Sequence, residues 1–255
     1  MKSLKSLSIY FLGFLMVAFV SCQKNDTTTN TISNNTENSD DVPSVFDNFS
    51  PDVNIYVEGD YVILESQNLP DHKSPYYGTG HTNYEAYNGT NPDWHQNPNF
   101  IQEQSMVYRI PLNPTEASNK QNTNLGAIGI SVNGVAIFNQ YAGPNNQPLT
   151  NEINSFDQYN GHPQNTGVYH YHIEPLHLSN TKGRDALVGF LLDGFPVYGP
   201  VENGQEISNS DLDEYHGHFG PTPDYPEGIY HYHITSEDPY INGGQFFGTP
   251  GAVTN

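Results

Sequence analysis

The chain has 255 residues with 28 Asp and Glu against 8 Lys and Arg, a formal charge of −20 at pH 7, and one cysteine. So acidic a balance suits solubility outside the cell and attraction of cations, and it argues against nucleic acid and anionic lipid head groups as partners. With a single thiol at position 22, the remainder of the chain can use neither disulfides, nor cysteine-ligated zinc, nor a cysteine nucleophile.

At the N-terminus, Lys2 and Lys5 precede an apolar run from Leu7 to Val20 that ends in Ser21 and Cys22. The run is too short to span a hydrocarbon core, and its charged start and small residue at the break predict a signal peptide over 1–21. FVSC resembles a lipoprotein box, which implies acylation of Cys22 and attachment to a bacterial membrane through an N-terminal lipid, facing periplasm or cell exterior. Residues 22–50, rich in Asn, Thr, Ser and acids, are expected as a disordered tether because they offer little apolar surface to offset the entropy of ordering. Residues 51–255 remain as a single domain.

Within that domain eighteen Tyr, thirteen Phe and frequent Gly, Pro and Asn predict a mostly β fold. VNIYV and YVILES flank Glu58-Gly59-Asp60 as a first hairpin. Then the sequence repeats itself. GISVNGVAIF from Gly129 aligns with GFLLDGFPVY from Gly189, and GVYHYHI from Gly167 with GIYHYHI from Gly228, at offsets of 60 and 61. Gly161-His162 and Gly217-His218 precede the two YHYH segments. The agreement predicts two like units, about 129–173 and 189–234, side by side across a pseudo-two-fold. Asn133-Gly134 and Asp193-Gly194 predict two-residue hairpin turns with both residues at positive φ. Pro196, which lacks a ladder donor, places its strand at an edge or bulge.

In an extended strand Tyr169 and Tyr171 oppose His170 and His172, and Tyr230 and Tyr232 oppose His231 and His233. Neutral imidazoles on one face suit zinc, copper, iron or nickel. The candidate ligands are therefore His170, His172, His231 and His233, expected near the junction of the halves, where they either face one another and share an ion or form a hydrogen-bonded polar seam. His162, His216, His218 and Asp213 are further candidates, because LDEYHGH sets carboxylates beside imidazoles. His81 and His95 in the loop-rich stretch, and His177, are read as surface or structural, as is His72, although its place in the segment NLPDHKSPYYG makes it the best exception.

NGVAIFN, GHPQNTGVYHYHIEP, ALVGFLLDGFPVYGP, LDEYHGH and GIYHYHIT together resemble the YHYH-domain proteins, named for the tetrapeptide, over most of residues 55–248. The resemblance implies an exported β-rich domain and no named reaction. Where that family suggests a cysteine after LDE, this chain has Tyr215.

Copper or zinc is the favoured cofactor, with calcium in an Asp/Asn loop as an alternative. A metal-binding lipoprotein, a metal-dependent extracytoplasmic hydrolase or copper oxidase, and a module for a glycan, protein or small-molecule ligand all stay open. No nucleophile elbow, phosphate loop or dinucleotide loop is present in the sequence.

Overall fold

The computed structural model describes residues 42–255; the expected signal peptide, Cys22 and the first part of the tether lie outside the described residues. Sixteen strands and one helix follow in order: β1 (Asn54–Glu58), β2 (Tyr61–Ser66), β3 (Met106–Pro111), β4 (Ala127–Ser131), β5 (Ala136–Phe138), β6 (Tyr141–Ala142), β7 (Gln147–Pro148), β8 (Gly161–Pro163), β9 (Tyr169–Tyr171), α1 (Leu176–Lys182), β10 (Leu187–Leu191), β11 (Pro196–Tyr198), β12 (Val201–Glu202), β13 (Gln205–Glu206), β14 (Gly217–Gly220), β15 (Ile229–His233) and β16 (Ala252–Thr254). The fold is mostly β, as composition predicts.

A four-stranded sheet has the order β1-β2-β3-β16, and an eight-stranded sheet the order β14-β15-β11-β10-β4-β5-β9-β8. Val62, Leu64, Tyr108 and Ile110 of the first sheet share one apolar cluster with Ile128, Ile130, Phe190 and Val197 of the second, so the core lies between them. No helix among the described residues is long and apolar enough to cross a membrane.

The larger sheet reads alike from either edge. In each half a hairpin (β4–β5, β10–β11) pairs in parallel with a YHYH strand (β9, β15), which pairs antiparallel with a Gly-His strand (β8, β14). At the centre β4 and β10 run antiparallel with Ile130 opposite Phe190, two residues that the 60-residue offset makes equivalent. A two-fold between the halves requires that pairing.

Three local expectations need correction. Among the hairpin-turn residues only Gly134 (φ 82°) and Gly194 (φ 87°) have positive φ, not Asn133 or Asp193. Gly134 N–H donates to the Ser131 carbonyl, and Ser131 N–H to the Val135 carbonyl, which makes a three-residue loop closing on a glycine bulge. Pro196 does not mark an edge, since β11 lies inside the sheet and the proline occupies its first position, one residue before pairing with β15 begins at Val197; the other alternative, a bulge, fits the register shift of the β10–β11 ladder between Leu187 and Gly189. The tether also ends earlier than residue 50. Val45, Phe46 and Phe49 are buried, and the Phe46 ring stacks on Phe190 at 4.7 Å between centroids. Three apolar side chains in VPSVFDNF suffice to bring residues 44–49 onto the core, against the polar composition of the segment before them.

Candidate metal centres

Strand alternation sends the tyrosines and histidines of each YHYH segment to opposite faces. The tyrosines are tied to polar side chains in turns. Tyr169 donates to Asp157 at 2.9 Å and Tyr230 to Asp213 at 2.9 Å; Tyr232 donates to Asp193 at 2.7 Å, while Tyr171 accepts from Asn133 Nδ2 at 3.2 Å. The Gly-His pairs follow from this arrangement. A Cβ on Gly161 would lie 2.3 Å from the Tyr169 ring, and one on Gly217 would lie 2.5 Å from the Tyr230 hydroxyl.

On the opposite face His162 stands across the ladder from His170, and His218 from His231. His172 and Glu152 complete one cluster; His233 and Glu202 complete the other, and within each the ligand atoms lie within 4.8 Å of one another. In the first centre His170 Nε2 is 3.0 Å from both His162 Nε2 and His172 Nε2, with Glu152 Oε1 3.3 Å from His162 Nε2. In the second, His218 Nε2 and His231 Nε2 are 3.0 Å apart, and Glu202 Oε1 is 3.6, 3.4 and 3.9 Å from the Nε2 atoms of His218, His231 and His233.

The backbone fixes which nitrogen carries the proton. His170 Nδ1 donates to the Val168 carbonyl (3.0 Å) and His231 Nδ1 to the Ile229 carbonyl (3.0 Å). His172 Nδ1 donates to the Asn139 carbonyl (2.5 Å) and His233 Nδ1 to the Gly199 carbonyl (2.8 Å). His162 Nδ1 donates to Ser155 Oγ (2.7 Å), whose own proton goes to the Glu152 carbonyl. A neutral imidazole that donates through Nδ1 keeps a lone pair on Nε2. In the first centre the inward Nε2 atoms are therefore acceptors facing acceptors at 3.0 Å, an arrangement that repels unless a cation sits between them. His233 Nε2, a buried atom with no hydrogen-bond partner, makes the same point for the second centre.

Burial, reinforced by the neighbouring imidazoles, drives His170 well below the ordinary histidine range and His172 and His233 to about 4; burial also lowers His231. All four are neutral, the ligating form, at pH 7. Burial raises the Glu152 carboxyl, but the His162 imidazole beside it more than reverses this. The linkage has a definite sign. A histidine whose folded pKa is about 4 and whose unfolded pKa is 6.5 contributes stability that is fully present above pH 6.5 and lost as pH falls to 4, on the order of 3 kcal/mol each for His172 and His233. Asp157 and Asp193, raised by burial to about 6, act in the opposite sense, losing stabilisation as pH rises through 6. Lowered histidines outnumber them, with His72 also brought by burial to about 4. We therefore expect the melting temperature of the metal-free protein to fall steadily from pH 6.5 to 4; a flat or rising profile would contradict these burial effects.

The four His-x-His imidazoles do not face one another. Between β9 and β15 lie β5, β4, β10 and β11, so the two YHYH strands are five strand spacings, about 24 Å, apart. Each pair instead joins the Gly-His histidine of its own half. Two other candidates stay outside. Asp213 accepts Tyr215 N–H (2.9 Å), Gly217 N–H (3.2 Å) and the Tyr230 hydroxyl, which makes it a turn brace, as Asp157 is in the first half. His216, at φ 75°, lies 2.9 Å through Nδ1 from the His233 carbonyl and 3.1 Å through Nε2 from Thr235 Oγ1, so both ring nitrogens are engaged. His72 is buried against Tyr171, whose hydroxyl lies 3.2 Å from its Nε2. His81 and His95 are exposed. Glu152 and Glu202 were not among the ligands the sequence suggests; Glu152 shares the approach to Gly161-His162 with Asp157, four more acids stand between Glu202 and Gly217-His218, and no spacing singles these two out.

A two-sheet β domain carrying a three-histidine, one-carboxylate cluster in each half defines the class of protein. The family model described as YHYH protein matches residues 107–208 and 201–244, which is more than half of the chain and includes both centres, and the chain belongs to this family. No curated protein and no solved structure matches it.

Proposed function

We propose that this protein binds two transition-metal ions, one in each centre, and does so in the cell envelope, held to a membrane by a lipid on Cys22. The observation that carries the metal reading is the convergence of Nε2 lone pairs whose Nδ1 protons are already committed elsewhere, the outer-sphere arrangement that orients imidazole ligands. Zinc bonds of 2.0–2.1 Å would set tetrahedral ligand atoms about 3.3–3.4 Å apart. Seven of the ligand-atom distances run from 3.0 to 3.9 Å and bracket that edge, and all lie within 4.8 Å. Imidazole-rich donors suit zinc or copper, whereas calcium takes six to eight oxygens and each centre supplies one carboxylate. Four protein donors favour holding an ion over catalysis, which uses three and an open position.

The direct test is elemental analysis of protein purified without added metal, for which two ions per chain are expected. Metal-free protein that also takes up neither zinc nor copper in calorimetry would sink the reading. The anchor is tested separately: Cys22→Ser should move the protein from the membrane to the soluble fraction. An unacylated wild type, together with a variant that stays on membranes in high salt, would show that Cys22 carries no lipid.

A further inference from the structure

We infer that the two centres do different work: the first keeps a resident ion, and the second takes up and releases a divalent first-row cation by way of the half-buried His218 imidazole. This rests on the metal-binding reading and goes beyond it, because the donor sets are the same and only their surroundings differ.

In the first centre the His162 side chain is 3 % exposed. Its Nδ1 is clamped by Ser155, the last residue of the short turn Glu152–Ser155 that begins with the carboxylate ligand, so one turn secures two donors. Outside β8, Asn97 and Asn99 both donate to the Pro163 carbonyl, at 3.1 and 3.2 Å, which lays that loop against the Gly-His strand.

The second centre lacks these supports. His218 is 27 % exposed in its side chain, and its Nδ1 has no hydrogen-bond partner among the described residues. It lies on β14, an outer strand of the sheet as β8 is at the other edge, so the two histidines differ in cover and not in strand position. Glu202 sits on the two-residue strand β12, paired only with β13. A cleft reaches the ligands of each centre, and Glu152 and Glu202 are alike in exposure at 28 % and 25 %, so the difference between the centres rests on His162 and His218.

Exchange of a chelated ion begins when one donor leaves, and the donor that leaves most readily is the one with no outer partner and with water behind it. Loss of an outer partner typically weakens metal affinity by about 10- to 100-fold. His218 meets both conditions and His162 meets neither.

The test is to load the full chain with zinc, add excess chelator and follow release with a chromogenic indicator. Two phases of equal amplitude are expected, the faster at least tenfold faster than the slower. His218→Ala should remove the fast phase and leave the slow one, whereas Ser155→Ala, which frees His162 without touching a ligand, should speed the slow phase and leave the fast one. Two ions released at one rate, or a His218→Ala protein that loses the slow ion, would overturn this inference and leave the metal reading standing. A chain that takes up no zinc overturns both.

Discussion

Replacing His170 and His231 together by Ala should leave the chain with no tightly bound ion, and each single replacement should leave one. Each residue is the middle histidine of its centre in sequence, across the ladder from the Gly-His histidine, and each is buried. Removing the imidazole deletes a donor and opens a cavity beside the others, so the affected centre should lose more than the roughly 100-fold that loss of an outer partner can cost. Tyr171→Phe is the control, because that ring points away from the imidazoles and its hydroxyl meets Asn133 and His72. It should keep both ions. Zinc stoichiometry by calorimetry, falling from two to one to none across wild type, singles and double, is the expected pattern. Unchanged affinity in the double variant would leave the histidines as a buried polar seam without a metal role.

Asp193→Ala should lower folding stability by about 3–5 kcal/mol, the range for removing one partner from a buried charged network. Asp193 is fully buried, and its Oδ2 accepts from the Tyr232 hydroxyl at 2.7 Å and from Gly248 N–H at 2.8 Å. Alanine strands both donors in the core, where water cannot replace the carboxylate. Burial itself works against the charged form, pushing the carboxyl up to about 6, so the loss comes from the stranded donors. Asp60→Ala, at an exposed turn, should change stability by less than about 0.5 kcal/mol. Urea unfolding at pH 7 measures both, and a loss below 1 kcal/mol for Asp193→Ala would show that Tyr232 and Gly248 find other partners. The same variant should also weaken the second centre, since Tyr232 lies between His231 and His233 on β15.

The sequence by itself determined what depends on neighbours along the chain. Alternation in YHYH assigned tyrosines and histidines to opposite faces, because the period of a strand is two residues whatever the sheet around it. The repeat paired Gly161-His162 with Gly217-His218, and the missing side chain is required because a tyrosine of the adjacent strand crosses that position. The first hairpin, β1 to β2, was legible from its glycine turn for the same local reason.

The tertiary structure alone decided the rest. Whether four imidazoles make one centre or two depends on sheet order, and each YHYH strand pairs in parallel with the hairpin of its own half across a long connection, which local pattern does not encode. Glu152 and Glu202 escaped the repeat because they are not equivalent positions: the 60-residue offset sets Glu202, on β12, against Ala142, on β6, whereas Glu152 follows the β6–β7 hairpin. Asp213 and His216 resembled ligands in LDEYHGH, yet the turn spends them on backbone and hydroxyl groups before they can reach the site. Ligand identity was set by which lone pairs remain free once such local bonds are made, and only the folded chain shows which those are.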